Sequence, residues 1–279
     1  MMHMLINRNY KVNPFIAMVI AGVLSLAQGC AGLRPAADYG EDAFLTHPAG
    51  GLPVTIRYLP ADAPLVPLVE ESVRSGMEKA GRWGEILRSF TVTVYPDHEA
   101  LEKAVQKKGY GWLKAWATEE KISLQSPRSW PLFLDKYLFD LMAHELTHVV
   151  YYQTAGIQAS RSGGNDPIWF REGLASVTAG QGYRRYGKKV LLRKLRSDRA
   201  FDPFSPAEMD VRDREKLVYS SAHYLVAYLI ETYGEERIRN LLHRIALGDS
   251  FEGAFDKTYP VPLKRLRSEW ESWLEMNEP

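Results

Sequence analysis

Cysteine is almost absent from this sequence. Cys30 is the only one among 279 residues, and a single thiol can form neither an internal disulfide nor a cysteine-based zinc site. Any metal ion held by this chain must therefore be bound by histidine, aspartate or glutamate. The length is sufficient for one large or two small domains with a sizeable core.

An excess of charge of one sign is also absent. The 35 Lys and Arg residues nearly balance the 34 Asp and Glu residues, which leaves a formal net charge of +1. This balance argues against a nucleic-acid partner. The hydrophobic content of 46% and the charged content of 25% are those of an ordinary globular protein. Composition leaves the oligomeric state open.

The sequence has no apolar run long enough for a comfortable membrane span. Residues 15–27 are apolar except for one glycine and one serine, and Arg8 and Lys11 precede them. A short apolar run after a positive start is typical of a secretory signal. We therefore predict a signal peptide over residues 1–29 and exclude it from the folded domain.

The end of this segment, Leu-Ser-Leu-Ala-Gln-Gly-Cys over residues 24–30, resembles the lipobox of bacterial lipoproteins. The resemblance implies lipidation of Cys30 and a membrane-anchored protein of the bacterial cell envelope. Because Ala31 rather than aspartate follows, it favours the outer membrane, facing the periplasm. The alternative is an ordinary cleaved signal with an incidental cysteine. Residues 30–52, rich in Ala, Gly, Pro and Asp, are predicted to tether this anchor to a domain over residues 53–279.

The stretch most informative about chemistry is His-Glu-Leu-Thr-His over residues 144–148. On a helix, residues four apart lie one turn apart on nearly the same face, so both imidazoles can reach one zinc ion. Glu145 between them is placed to meet a metal-activated water instead of the metal. The alternative is a surface helix that carries this pattern by accident, about once per hundred chains of this length.

A catalytic zinc site needs a third protein ligand. We predict a helix over residues 131–153 around the motif and a second helix that Asp166 caps, with Pro167 at its first position. Glu172 on this second helix is the candidate third ligand, since small residues share its face and would let the two helices approach. Taken alone, Glu172 is more readily interpreted as a solvated or salt-bridged helix residue.

The two motifs together resemble the gluzincin metallopeptidases, specifically the bacterial peptidase-MA-like domains. They consist of His-Glu-x-x-His over residues 144–148 and Trp-Phe-Arg-Glu-Gly-Leu-Ala over residues 169–175, with twenty-three residues between His148 and Glu172. The resemblance implies that His144, His148 and Glu172 bind Zn²⁺ and that Glu145 is the general base. Many gluzincins have an aspartate where this chain has Ser176, so we expect another group to orient a histidine. Asp140 is one candidate for this orienting group. The alternative is that its carboxylate is a solvated charge.

The resemblance also implies an α+β, zincin-like fold with a small mixed sheet plus helices in the upper half and a helical lower half. Alternating apolar residues predict strands over residues 53–59, 90–95 and 115–124, and helical spacing predicts helices over 64–88 and 98–108. The part of the last strand near Ile122 would either border the cleft or lie inside the sheet. The chain beyond Gly187 is predicted to be helical.

A peptidase of this kind also needs a hydrogen-bond donor for the oxyanion. Tyr219 and His223 lie four residues apart on a predicted helix, and the resemblance extends to the following Tyr233-Gly234. Either side chain could be the donor, Tyr219 being the first choice. The alternatives are a packed aromatic ring and a core histidine.

These observations predict a zinc-dependent peptidase of the bacterial cell envelope that acts on a peptide or protein substrate. The alternative is a catalytically silent binding lipoprotein with a zincin fold, although this interpretation does not explain the presence of Glu145. A zinc hydrolase of non-peptide amides cannot be separated from a peptidase by sequence.

Overall fold

The small mixed sheet occupies the first half of the folded chain. The computed structural model describes residues 39–132, 135–157 and 167–276. In these ranges the sheet has five strands: β1 (Leu45–Pro48), β2 (Val54–Tyr58), β3 (Phe90–Tyr95), β4 (Ala115–Ala117) and β5 (Lys121–Gln125). Their spatial order is β1-β2-β3-β5-β4, with β2, β3 and β5 parallel and the outer two antiparallel to their neighbours.

Helices make up most of the remaining described chain. They are α1 (Val66–Ala80), α2 (His98–Val105), α3 (Asp135–Ala155), α4 (Ile168–Thr178), α5 (Lys188–Ser197), α6 (Glu208–Asp213), α7 (Glu215–Tyr233), α8 (Glu235–Ala246), α9 (Phe251–Thr258) and α10 (Leu263–Glu275). Short 3₁₀ turns lie at Glu41–Ala43, Pro60–Leu65, Pro127–Ser129 and Gln181–Arg184. The predicted α+β class, with a zincin-like sheet half and a helical half, is confirmed.

Local sequence explains how the central strand forms and ends. Phe90, Val92 and Val94 alternate along β3 and are all buried, as expected for β-rich residues on the core face of a sheet. Pro96 follows the strand, and the Asp97 side chain accepts a hydrogen bond from the backbone of residue 100 to cap α2. The strand predicted over residues 90–95 is therefore confirmed.

Helix α3 lies at the centre of the molecule. From residue 138 to its end nearly every side chain is buried, because α1, α4, α8 and β4 surround it. Gly76 on α1 permits the closest of these contacts, since a Cβ there would lie 2.6 Å from the Leu146 side chain. The motif helix is thus held rigidly by the core.

Three boundaries differ most from the sequence prediction, and the helices predicted over 131–153 and 98–108 are observed at Asp135–Ala155 and His98–Val105. Residues 45–48, within the predicted tether, form β1 and pair with β2, so the folded unit begins earlier than residue 53. The single strand predicted over residues 115–124 is wrong, because the chain reverses after Ala117 to form the antiparallel hairpin β4–β5. The helix predicted over 64–88 ends at Ala80, where its apolar pattern stops.

Several predictions fall outside the described residues. These are the signal peptide over 1–29, the lipidation of Cys30, the first part of the tether and the capping role of Asp166. Within the described ranges, no helix combines the length and the apolar character needed to cross a membrane.

Candidate metal centre

Two histidines and one glutamate converge where α3 crosses α4. Oε2 of Glu172 lies 3.3 Å from Nε2 of His144 and 3.4 Å from Nε2 of His148. All three side chains are buried, and their potential ligand atoms lie within 4.8 Å of one another. The structure therefore brings together the three residues proposed as ligands from sequence.

The two distances from Oε2 of Glu172 to the histidine nitrogens fit a tetrahedral metal site. Bonds of about 2.0–2.1 Å place tetrahedral ligand atoms about 3.3–3.4 Å apart. Two imidazoles and a carboxylate also match the donor set of catalytic zinc, which keeps one coordination position for water or substrate. The buried cluster can therefore hold a divalent metal ion.

A neighbouring amide, not a carboxylate, orients His144. Gln181 lies in the 3₁₀ turn after α4, and its Oε1 is 3.1 Å from Nδ1 of His144. An Nδ1–H donated to this oxygen leaves Nε2 unprotonated and directed at the cluster. Asp140 does not fill this place, because its carboxylate accepts a hydrogen bond from Lys136. Gln181 was missed from sequence because nothing in a lone glutamine signals this contact.

The other two ligands are oriented unequally. Arg171 Nε donates to Oε1 of Glu172 over 3.2 Å, which directs Oε2 toward the histidines. Nδ1 of His148 is buried and has no hydrogen-bond partner within the described ranges. Glu172 is therefore fixed through both carboxylate oxygens, whereas His148 is held mainly by packing.

Burial and mutual charge set the protonation of the cluster. Burial lowers the pKa of His144 to about 4. Burial also raises the pKa of Glu172, but the charge of His148 and hydrogen bonds from both histidines outweigh it and hold that pKa well below its usual range. A neutral imidazole and an ionised carboxylate are the forms that bind metal.

Glu145 lies beside the cluster and lines the same cleft. Its side chain is buried, and burial raises its pKa to about 7. The pKa of Glu145 is thus shifted in the opposite direction from that of Glu172, which lines the same cleft. A carboxyl with a pKa near 7 can both accept and return a proton at neutral pH.

The two candidate oxyanion donors occupy different places. Tyr219 on α7 lines the cleft, with its ring centroid 6.4 Å from that of His144. Burial, followed by the charge of Glu172, raises the pKa of Tyr219 well above its usual value, so its hydroxyl remains a donor. His223, one turn later, lies outside the cleft lining, and its Nδ1 is 3.0 Å from Oγ of Ser176.

The cleft beside the metal cluster has an empty volume of about 820 Å³, which includes the space open to solvent at its mouth. One wall is β4 with the preceding loop, and the other is formed by α4, the turn at Gln181–Arg184 and α7. Aromatic rings from residues 112, 116, 137, 152 and 219 line it. The edge strand that borders the cleft is β4, and Ile122 lies on the interior strand β5, which decides the alternative left open by the sequence.

Close helix packing positions Glu172. A Cβ on Gly173 would lie 2.2 Å from the backbone oxygen of Ala222, so only glycine lets α4 rest on α7 at this distance. Pro167 precedes the first turn as the N-cap and is not at the first helical position. The close packing at Gly173 therefore sets the position of the Glu172 side chain.

Comparison with known families agrees with this geometry. Residues 138–276 match the family model of the Peptidase MA superfamily. The match supports a zincin-like, peptidase-type domain over this segment. The match begins within α3 and so includes all three residues of the metal cluster. A search of curated proteins finds no match to the chain.

Proposed function

We propose that this protein is a zinc-dependent peptidase of gluzincin type that acts in the bacterial cell envelope. The observation that carries the proposal is the buried convergence of His144, His148 and Glu172, with Glu145 beside them in one cleft. The lipobox-like end of the signal sequence supports the location and a lipid anchor at Cys30. The match of residues 138–276 to the model of a peptidase superfamily supports the reaction class.

The proposed ligands are His144, His148 and Glu172. When bound there, zinc would acidify a water molecule and polarise the scissile carbonyl. Glu145 takes the proton from the attacking water as oxygen bonds to the carbonyl carbon. It then delivers that proton to the amine as the C–N bond breaks.

Tyr219 is the proposed donor to the oxyanion. Its hydroxyl has no hydrogen-bond partner within the described ranges, it remains protonated, and its ring lies beside His144. A donor held in a cleft away from bulk water stabilises developing negative charge at little reorganisation cost. His223 is less suited to this role, because Ser176 and not the cleft faces its imidazole.

Strand β4 is the proposed support for the substrate backbone. One edge of β4 pairs with β5, while its other edge lies at the end of the sheet, and residues 115–117 line the cleft. An extended peptide can add to such an edge through backbone hydrogen bonds that do not depend on sequence. This arrangement favours a peptide over a small non-peptide amide.

Glu145→Gln tests the proposed reaction. The variant is expected to retain one equivalent of zinc, because Glu145 is not a ligand, and to cleave a mixed peptide library at least about a hundredfold more slowly. Metal analysis and mass spectrometry of the digested library provide the two measurements. Glu71→Gln, an exposed change on α1, is the matched control. Zinc-loaded wild type that cleaves nothing would favour the silent binding protein, and equal rates for wild type and variant would exclude Glu145 as the base.

A further inference from the structure

Arg185 is a charged residue of the cleft that the proposed reaction does not use. It follows the 3₁₀ turn after α4 and lines the cleft near the metal cluster. Nε donates to Oγ of Ser176 over 3.1 Å, and Nη2 donates to Oε1 of Gln181 over 3.0 Å. The guanidinium lies 5.3 Å from the centre of the Tyr219 ring. Its orientation is therefore determined by three neutral groups.

No carboxylate forms an ion pair with Arg185 in residues 39–132, 135–157 or 167–276. By contrast, Arg171 pairs with Glu172, and Arg214 pairs with Asp198. Burial lowers the pKa of Arg185 to about 10, which still leaves it charged at neutral pH. A partly buried guanidinium without a counter-ion is costly, so a ligand that supplies negative charge would gain from meeting it.

Two further basic side chains line the cleft. Lys114 on the opposite wall donates to the neutral Oε1 of Gln125 over 3.1 Å, and Arg184 lies over the ring of Tyr137. Neither forms an ion pair in the described chain. Apart from Glu145 and Glu172, Glu215 is the acidic residue that lines the cleft. The cleft therefore favours an anionic ligand.

We propose that Arg185 is a specificity-determining residue that binds a carboxylate of the peptide substrate. A guanidinium has five N–H donors in a planar fork, and the contacts to Ser176 and Gln181 leave donors that match the two oxygens of a carboxylate. The carboxylate is either an acidic side chain or the carboxyl terminus of the peptide, since both present the same group. This inference rests on the proposed peptidase function and names the class of peptide that the enzyme selects.

Binding to the zinc-loaded Glu145→Gln protein tests the inference without turnover. The probes are hexapeptides of sequence Ala-Ala-Tyr-Leu-Ala-Ala in which each alanine is replaced in turn by Glu or by Gln, with acetylated amino termini. Each is made with a C-terminal amide and with a free carboxylate, and calorimetry gives the dissociation constants. The Glu and Gln pairs report on acidic side chains, and the carboxylate and amide pairs report on the terminus.

We expect at least one acidic peptide to bind about tenfold more tightly than its neutral twin. Adding Arg185→Gln should reduce this ratio to about one, and Arg185→Lys should retain part of it. Arg193→Gln removes the same charge from an exposed position on α5 outside the cleft and should leave the preference unchanged. Because Gln181 contacts both Arg185 and His144, zinc content and thermal melting are measured for every variant.

The inference is overturned if no acidic peptide binds better than its neutral twin, or if Arg185→Gln leaves the preference intact. A role limited to holding Gln181 would change zinc affinity and not the ratio between twins. Cleavage of acidic and neutral peptides alike by wild type would preserve the peptidase proposal and reject this one. An Arg185-dependent preference for acidic peptides, without any cleavage by wild type, would support carboxylate binding by Arg185 and reject the peptidase proposal.

Discussion

The glutamine at position 181 shows how much of this site depends on a residue that is not a ligand. Its Oε1 lies between Nδ1 of His144 and Nη2 of Arg185, and its Nε2 donates to the backbone oxygen of Asp140 over 3.4 Å. One amide thus links a proposed ligand, the motif helix and the proposed specificity residue. A group that fixes the tautomer and ring orientation of a ligating histidine contributes directly to metal affinity.

Gln181→Met should weaken zinc binding by about 10–100-fold, because methionine has similar size but no oxygen to accept the Nδ1–H of His144. Competition with a chromogenic chelator measures the zinc dissociation constant. Gln153→Met is the control, since Gln153 bonds the backbone at Leu87 and Arg88 away from the metal cluster. That variant should lose stability but keep its zinc affinity. Equal zinc affinity in Gln181→Met and wild type would contradict the orienting role.

At the scale of elements, the site depends on how closely α4 approaches its neighbours. Helix α3 carries two ligands and is enclosed by the core, whereas α4 carries one ligand and lies between α3 and α7. The small residues around Glu172 make this possible, and Gly173 meets the backbone of α7 directly. The position of the carboxylate is therefore set by how closely α4 packs on α7.

Gly173→Ala should destabilise the protein by about 1–3 kcal/mol, because the added methyl group must displace the backbone of α7. The direction of this stability change is informative, since replacing glycine by alanine within a helix otherwise stabilises the helix by up to about 1 kcal/mol. Guanidinium denaturation measures the change. Gly111→Ala, where a Cβ would meet no atom within 4 Å, should stay within about 0.5 kcal/mol. A neutral or stabilising effect of Gly173→Ala would show that α4 is free to shift.

At the scale of the whole molecule, the cleft joins two halves of different character. The family match over residues 138–276 covers the helices from α3 onward, while the sheet half lies before it and supplies the β4 wall. Lys114 belongs to that wall and Arg185 to the helical half. The metal chemistry and the substrate support therefore come from different parts of the chain, and the charge of the cleft comes from both.

The proposed anchor is also a property of the whole chain. In bacterial cells, Cys30→Ser should abolish incorporation of a palmitate analogue and release the protein from the membrane fraction, because the lipid would be attached to that thiol. Metabolic labelling and fractionation measure the two effects. Glu145→Gln, which changes the cleft alone, should be labelled like wild type. Labelling that persists in Cys30→Ser, or its absence from wild type, would reject the lipoprotein proposal.

The sequence by itself determined the features that depend on local spacing. Residues four apart on a helix share a face, so His144 and His148 could be paired without coordinates, and the strand at residues 90–95 followed from its alternation. The scarcity of cysteine restricted the ligands to histidine and carboxylate. The α+β class followed from the resemblance that these motifs carry.

Only the tertiary structure decided the features that depend on contacts between distant segments. The hairpin β4–β5 was hidden because β4 has only three residues, and the reversal over residues 118–120 contains no glycine or proline. Gln181 and Arg185 acquire their roles from where the chain turns after α4, and His223 loses its place in the cleft because that face of α7 packs on Ser176. Periodicity reports which face of an element is buried, but not which neighbour covers it.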